Sequence, residues 1–163
     1  CIPCALGKYK DTLGTQECTT CPDHMTTQFE GSLSLHQCVC KSGYTGPDGG
    51  SNCTACEPGT YKEDAGNASC VPCEAGKYSE GRAADNSSTC QACPVNSWTA
   101  GVGGGSYTDC KCKAGYTGPD GGSNCTACEP GTYKEDAGNA SCVPCEAGKY
   151  SEGRAADNSS TCQ

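Results

Sequence analysis

Nineteen cysteines in a chain of 163 residues limit the possible folds more than any other feature of the sequence. Leu, Ile, Val and Phe together fill only 11 of those positions, about 7%, far under the roughly 20% below which a chain is expected to stay disordered. Cysteine at 19 of 163 is about 12%, above the roughly 8–10% that marks a disulfide scaffold in a secreted chain. Disulfide bonds must therefore stabilise the fold in place of a hydrophobic core. The composition predicts small disulfide-rich repeats that are mostly irregular, with short β-hairpins.

An internal repeat organises the cysteines. Residues 44–91 recur without a substitution as residues 116–163, a shift of 72 over 48 positions. The start of the chain follows the same pattern, since CIPCALGKY at 1–9 matches CVPCEAGKY at 70–78. One unit therefore has about 72 residues and eight cysteines. We expect an elongated tandem array with units at 1–69 and 70–141 and a partial unit at 142–163, cut from a longer chain.

The net charge of the chain limits the classes of binding partner that can be expected. With a net charge of −8 and 11 scattered Lys and Arg, it offers no basic face, so nucleic acid and anionic lipid are not expected to bind. No apolar run is long enough to insert this segment directly into a membrane, and no signal-peptide pattern is visible. Because disulfides need an oxidising compartment, we expect an extracellular or cell-surface location reached through the secretory pathway.

Two short patterns recur between the cysteines. GYTGPDGG at 43–50 and 115–122 predicts a turn, with a flexible linker as the alternative. CxxGxY occurs five times, where the glycine permits a conformation that a Cβ would strain and the tyrosine can cover a disulfide as a miniature core. A ligand-binding stripe of tyrosines is the alternative. These five patterns begin at Cys4, Cys56, Cys73, Cys128 and Cys145.

The cysteine spacing resembles known extracellular repeats. The run from Cys56 to Cys110 resembles the cysteine-rich repeat of tumour necrosis factor receptors, and CKCKAGYTGPDGGSNC at 110–125 resembles the closing half of an epidermal-growth-factor-like module. Together they resemble the ephrin-receptor-like cysteine-rich repeats of large cell-surface proteins.

Spacing alone does not choose among the many possible disulfide pairings, so a pairing follows here only from the resemblance. It implies Cys56–Cys70, Cys73–Cys93, Cys90–Cys110 and Cys112–Cys125, and, shifted by one unit, Cys4–Cys21, Cys18–Cys38, Cys40–Cys53 and Cys128–Cys142. Cys1, Cys145 and Cys162 then pair with cysteines outside the chain.

Other chemistries fit the sequence less well. CxxC steps also suit structural zinc, but His24 and His36 are not at ligand spacing, and a dithiol redox site needs a scaffold that this sequence cannot build. Asp48 and Asp120 stand singly in turns, which argues against calcium. No serine elbow, phosphate-binding loop or fixed carboxylate pair is present. We therefore expect no metal, no other cofactor and no enzymatic activity.

Six of the seven asparagines stand in N-x-[ST] sequons, which predicts N-linked glycans on surface loops. Duplication makes only three of them independent, so ordinary turn asparagines remain the alternative. Asn52 and Asn124 have a cysteine in the middle position and are the least suitable acceptors. The six are Asn52, Asn67, Asn86, Asn124, Asn139 and Asn158.

The fidelity of the repeat favours a non-enzymatic extracellular structural protein that contacts other copies or other extracellular proteins. We expect a disulfide-stapled rod within a surface coat, matrix or filament, which resembles algal and other protist surface or mastigoneme (flagellar hair) proteins. The alternative is the ligand-binding or adhesion ectodomain of a receptor, with a site in the distinctive first unit or near Trp98. Core filling is the favoured role for the apolar residues concerned, which are Met25, Phe29, Leu33, Leu35 and Trp98.

Overall fold

The structure is a computed structural model that describes residues 2–47, 49 and 52–163. The expected outside partner of Cys1, the turn aspartate Asp48 and the end of the first GYTGPDGG segment therefore lie outside the described residues.

In the described part of the chain, nine disulfides close nine short loops in series, and each joins one cysteine to the next along the chain. The two cysteines of a pair are 13 to 17 residues apart. Each loop is called a hairpin below and is named by its two cysteines. The pairs are Cys4–Cys18, Cys21–Cys38, Cys40–Cys53, Cys56–Cys70, Cys73–Cys90, Cys93–Cys110, Cys112–Cys125, Cys128–Cys142 and Cys145–Cys162.

Two short antiparallel strands accompany each of the first eight disulfides, and they form separate two-stranded sheets. The sheets are β1 (Lys8–Tyr9) with β2 (Thr19–Thr20), β3 (Met25–Thr27) with β4 (Cys38–Cys40), β5 (Tyr44–Thr45) with β6 (Thr54–Ala55), β7 (Thr60–Tyr61) with β8 (Val71–Pro72), β9 (Lys77–Tyr78) with β10 (Gln91–Ala92), β11 (Ser97–Trp98) with β12 (Lys111–Cys112), β13 (Tyr116–Thr117) with β14 (Thr126–Ala127), and β15 (Thr132–Tyr133) with β16 (Val143–Pro144). In the ninth hairpin, Tyr150 and Gln163 exchange backbone hydrogen bonds of 2.9 and 2.8 Å.

Helical structure in the described chain is limited to single 3₁₀ turns, at Leu35–Gln37, Ser87–Thr89, Tyr107–Asp109 and Ser159–Thr161. None of these is long or apolar enough to cross a bilayer.

The disulfide order corrects half of the pairing that the receptor resemblance implied. Cys40–Cys53, Cys56–Cys70, Cys112–Cys125 and Cys128–Cys142 are the same pairs in the structure. The interlaced pairs Cys4–Cys21, Cys18–Cys38, Cys73–Cys93 and Cys90–Cys110 are wrong. The expected outside partners of Cys145 and Cys162 are wrong too, because these two cysteines pair with each other.

A tight turn after the first cysteine of each hairpin explains the order. In Glu74–Lys77 the Lys77 N–H donates to the Glu74 carbonyl at 3.1 Å and Gly76 has φ +84°, the pattern of a type II turn. This turn folds Cys73 back towards Cys90, whose Cα lies 5.6 Å away. Cys93 lies instead opposite Gly76, to whose carbonyl its N–H donates at 2.9 Å. Positive φ recurs three residues after each first cysteine, at Gly7, His24, Gly43, Gly59, Gly76, Asn96, Gly115, Gly131 and Gly148.

The described chain divides into two compact units, residues 1–72 with 81–89, and residues 73–80 with 90–163. The expected boundaries at 1–69, 70–141 and 142–163 follow the sequence period, and they stay a prediction about the repeat.

Disulfides and a few polar residues form the interior. One small cluster in the first unit packs Met25 between Cys21 and Cys38, with Tyr9 against it, so that a tyrosine of one hairpin covers the disulfide of the next. Met25 is 2% exposed, which agrees with core filling. Core filling is wrong for the other four apolar candidates, because they are partly or largely exposed: Phe29 74%, Leu33 72%, Leu35 37% and Trp98 43%. Their hairpins are too thin to cover them.

Candidate functional surface

At two junctions between successive hairpins, the same set of three hydrogen bonds, here called the clamp, joins the neighbours. Between the Cys73–Cys90 and Cys93–Cys110 hairpins the bonds run from Gly103 N–H to the Cys73 carbonyl (2.8 Å), from Ser79 N–H to the Gly104 carbonyl (2.9 Å) and from Gly76 N–H to Thr99 Oγ1 (2.8 Å). Between the first two hairpins they run from Gly31 N–H to the Cys4 carbonyl (2.7 Å), from Lys10 N–H to the Ser32 carbonyl (3.0 Å) and from Gly7 N–H to Thr27 Oγ1 (3.0 Å). Backbone geometry therefore joins neighbours where the sequence has no apolar surface to do so.

At two other contacts between successive hairpins, an alanine has a strained backbone conformation. Ala83 has φ +54° and Ala155 has φ +57°, a region that costs an L-residue roughly 1–2 kcal/mol. Ala83 N–H donates to the Cys56 carbonyl at 2.9 Å, and the Ala83 carbonyl lies so close to Gly43 that a Cβ on this glycine would collide with it. Neighbouring contacts thus fix the strained conformation.

Two lysines are buried as carbonyl-bound ammonium groups, a feature that sequence reasoning missed. Lys62 and Lys134 are each 3% exposed. Lys134 Nζ donates to the carbonyls of Tyr116 at 2.8 Å and Gly138 at 2.7 Å, and Lys62 Nζ donates to the equivalent carbonyls of its own copy. Burial lowers the pKa of Lys134, while the charge of Asp136 acts in the opposite direction. The sequence feature that could have pointed to these buried lysines is the lysine that directly follows the tyrosine in CEPGTYK.

Carboxylates link the hairpin of each buried lysine to the hairpin that follows it, at their exposed edges. Glu63 accepts the Ser87 N–H at 2.9 Å and Glu135 accepts the Ser159 N–H at 3.0 Å. Hydrogen bonds from Ser87 and Ser159 hold the pKa of each carboxyl below its usual value. Each glutamate therefore binds the first turn of a 3₁₀ helix in its charged form.

Each copy of the duplication also carries one arginine–glutamate pair, Arg82 with Glu57 at 2.5 Å and Arg154 with Glu129 at 2.8 Å. All four side chains are largely exposed, so these pairs mark a repeated surface pattern more than a source of stability.

The six sequon asparagines are all exposed. Asn86 Oδ1 accepts the Ser88 N–H at 2.8 Å, and Asn158 Oδ1 accepts the Ser160 N–H at 3.0 Å. These bonds use the carbonyl oxygen, and the amide nitrogen is the atom that carries an N-linked glycan. That nitrogen donates to Asp157 in Asn158 and to Asp120 in Asn139. The glycan prediction for Asn52, Asn67, Asn86, Asn124, Asn139 and Asn158 stays a prediction.

The histidines take structural places. His24 holds the positive-φ position of its turn and stacks on Tyr44, with ring centroids 4.1 Å apart, beside a cavity of about 350 Å³ between the first two hairpins. His36 lies in the first 3₁₀ turn. Within the described ranges no three His, Cys, Asp or Glu side chains gather as a metal-binding group.

Most of the exposed large apolar side chains of the described residues lie outside the two duplicated segments. Ile2, Leu6 and Leu13 lie at the start of the chain, and the others fall in two corresponding hairpins, Cys21–Cys38 and Cys93–Cys110. In these two hairpins they are Phe29 at 74%, Leu33 at 72%, Leu35 at 37%, Val95 at 82%, Trp98 at 43% and Val102 at 66% exposure.

Comparisons with known proteins agree with this architecture. The model of the family described as tyrosine-protein kinase ephrin type A/B receptor-like matches residues 1–38, 43–89, 66–110 and 115–162. Cysteine repeat modular protein A of Toxoplasma gondii is 36% identical over 61 residues, which is 37% of this chain and 2% of that protein. The sushi, von Willebrand factor type A, EGF and pentraxin domain-containing protein 1 of Rattus norvegicus is 36% identical over 66 residues, 39% of this chain and 2% of that protein.

A third relative is the signal peptide, CUB and EGF-like domain-containing protein 2 of Danio rerio, at 33% identity over 66 residues, 38% of this chain and 6% of that protein. The chain thus matches only a small fraction of the length of these relatives. The family model, in contrast, matches most of the chain. The chain therefore belongs to the ephrin type A/B receptor-like family of cysteine-rich, disulfide-bonded tandem repeats.

Proposed function

We propose that this extracellular cysteine-rich repeat protein is a non-enzymatic structural element, a disulfide-stapled rod that contributes to a surface coat, matrix or filament of the flagellar-hair or mastigoneme kind. It acts through contacts with other copies or with other extracellular proteins. N-linked glycans on the exposed sequon asparagines cover part of its surface.

One observation carries this proposal: the duplicated segments share their side-chain contacts as well as their amino-acid sequence. The buried lysine, the arginine–glutamate pair and the capping glutamate occur in each copy with the same partners. The first unit shows that the framework accepts other loops, so folding alone does not demand identity over 48 residues. Identical surfaces at a fixed interval suit a protein that makes the same contact many times.

A second candidate is a ligand-binding or adhesion ectodomain. Its support is the exposed apolar group in the Cys21–Cys38 and Cys93–Cys110 hairpins, because such residues are favoured at protein contacts. In this case Phe29→Ala with Leu33→Ala lowers binding to cells, and Val71→Ala with Val143→Ala, in the duplicated segments, does not.

Small-angle X-ray scattering tests the rod directly. The oxidised chain is compared with chains that carry one or two further copies of residues 92–163 after Gln163. A rod predicts that the maximum dimension grows by the same increment with each copy. A maximum dimension that stays nearly constant while the mass grows would refute the proposal.

A further inference from the structure

We propose that the cavity between the first two hairpins binds a carboxylate-bearing sugar, such as the uronic acid unit of an acidic polysaccharide. The cavity has a volume of about 350 Å³, which lies in the range of small-molecule sites. It lies within the first compact unit of the described chain. The inference goes beyond the rod, because it adds a ligand site to the protein–protein contacts proposed above.

Two strand pairs shape the cavity. Lys8 in β1 lies opposite Thr20 in β2, so their side chains share one face of that pair. Lys41 directly follows β4, and its N–H donates to the His24 carbonyl at 2.9 Å, which places Lys41 on the cavity wall. Met25 also lines the cavity and is 2% exposed. The cavity therefore has charged walls beside an apolar floor.

The charged groups of the cavity have no bonding partner among the residues that the structure describes. Lys8 and Lys41 make neither an ion pair nor a side-chain hydrogen bond there, and the same holds for the carboxylate of Asp23. Most of the other Lys and Arg side chains bind a carboxylate or a carbonyl. Two ammonium groups and one carboxylate leave a local positive charge that matches a single outside carboxylate.

The missing partner of Lys8 is visible by comparison with the Cys73–Cys90 hairpin. In that hairpin Lys77 pairs with Glu74 at 3.0 Å. Lys8 occupies the position of Lys77, at the same distance from its first cysteine, but Ala5 occupies the position of Glu74. The first hairpin has thus kept the lysine and lost its counter-ion, which leaves the ammonium available to a ligand.

The cavity wall is also polar where the corresponding hairpin is bulky and apolar. Counted from the first cysteine of each hairpin, Asp23 and Thr26 take the positions of Val95 and Trp98. Val95 and Trp98 are 82% and 43% exposed. The short side chain of Thr26 leaves space that an indole ring would fill, so the open wall is a feature of the Cys21–Cys38 hairpin.

These groups together favour an acidic sugar. Lys8 and Lys41 supply charge-assisted hydrogen bonds to a carboxylate. Asp23 accepts hydrogen bonds from hydroxyl groups and Thr20 can donate or accept them, whereas a hydrocarbon acid has no hydroxyl group to offer. Met25 packs against the carbon atoms of the ring. An Asp or Glu side chain of a partner protein carries the carboxylate but is too small to fill a cavity of this volume.

NMR titration of the oxidised, isotope-labelled chain with methyl glucuronoside tests the site. About 0.15 M salt screens the negative charge of the rest of the chain beyond about 8 Å. The amide signals of Thr20, His24 and Lys41 should shift and saturate with a dissociation constant of about 1 mM, as expected for a ligand of this size. Methyl glucoside, which lacks the carboxylate, and acetate, which lacks the ring, should bind at least about tenfold more weakly.

The same titration distinguishes the ligand classes. If methyl glucoside or acetate bound as tightly as methyl glucuronoside, the proposal would be overturned, because the site would not need both the charge and the ring. N-acetylglutamate amide represents an acidic peptide. Binding of this compound with equal or higher affinity would overturn the sugar assignment and indicate a protein ligand.

Substitutions of the lysines test the residues assigned to the carboxylate. Lys8→Gln with Lys41→Gln should weaken the binding of methyl glucuronoside at least about tenfold. Lys113→Gln is the matched control, because Lys113 holds the position of Lys41 after the next Cys-x-Cys pair, and it should leave the affinity unchanged. Ala5→Glu should weaken binding about two- to fivefold by giving Lys8 the partner that Lys77 has. Native affinity in the double glutamine variant would overturn the proposal.

Filling the cavity gives a test that leaves the charges in place. Thr26→Trp introduces the residue that the Cys93–Cys110 hairpin already carries as Trp98, and it should abolish the saturable shifts. The amide spectrum of the second compact unit and the disulfide map verify that the variant is folded. Native affinity in folded Thr26→Trp would show that the ligand does not enter the cavity and would overturn the proposal.

Discussion

Replacing Lys134 by methionine should locally loosen the contact between the Cys112–Cys125 and Cys128–Cys142 hairpins. Lys134 is 3% exposed, and its ammonium donates to the carbonyls of Tyr116 and Gly138. Hydrogen bonds from a charged donor contribute roughly 1.5–3 kcal/mol each. Methionine fills the space of the lysine stem but removes the donor from both carbonyls, which belong to partly exposed residues.

The cost of burying the ammonium offsets part of this gain, so the net loss for Lys134→Met should be about 2–4 kcal/mol. Native-state amide exchange measures it at Gly115, whose N–H donates to the Lys134 carbonyl at 2.9 Å, and at Gly138, whose N–H donates to the Cys112 carbonyl at 2.8 Å. Their exchange should become about 30 to 1,000 times faster. Lys149→Met, at an exposed lysine of the same compact unit, is the matched control and should change neither amide. If Lys134→Met gave the same rates as Lys149→Met, the buried ammonium would not be what stabilises this contact.

Three further predictions follow from the contacts of single residues. Ala83→Gly should stabilise the protein by about 0.5–1 kcal/mol, because relief of the positive φ at residue 83 exceeds the entropic cost of glycine. Ala84→Gly, at the buried neighbouring residue, should destabilise the protein. A lower denaturant midpoint for Ala83→Gly would contradict the claim that Ala83 is strained. The pKa of Glu135 is lowered in the folded state, so its bond to Ser159 stabilises the fold above the unfolded pKa of about 4.3 and is lost as the pH falls through the folded pKa. After correction for intrinsic rates, exchange of the Ser159 amide should therefore accelerate as the pH falls through the lowered pKa of Glu135 in the native chain, and this pH dependence should be lost in Glu135→Gln. A native rate without that acceleration would count against the cap. Treatment of the secreted protein with an N-glycosidase should lower its mass and convert occupied asparagines to aspartate, and an unchanged mass would leave these as ordinary turn asparagines. The acceptors expected first are Asn67, Asn86, Asn139 and Asn158.

Cysteine density, the scarcity of aliphatic residues and the internal repeat were together enough to predict disulfide-rich tandem repeats with short hairpins. The pairing was only half predictable, because it depends on a turn that folds each first cysteine back along its own hairpin. Glycine marks this turn in most hairpins, but His24 and Asn96 adopt the same positive φ without that signal. The resemblance, which rests on cysteine spacing, implied the interlaced pairing of the receptor repeats. The local turns of this chain instead bring consecutive cysteines together.

The environments of single side chains were less predictable. From the sequence, a lysine in a polar chain is expected to be a solvated charge. Only the arrangement of the hairpins shows that Lys62 and Lys134 donate to carbonyls. Large apolar residues such as Phe29 read as core in most chains, but hairpins this small bury little beyond their sulfur atoms. Both errors arise because ordinary burial rules assume an apolar interior that this chain lacks.

Peptide mapping without reduction tests the central claim, that the chain is a series of independently closed hairpins. Cleavage between Cys73 and Cys110, with thiols blocked throughout, should yield Cys73 joined to Cys90 and Cys93 joined to Cys110. Recovery of Cys73 joined to Cys93, with Cys90 joined to Cys110, would contradict it and restore the interlaced receptor order.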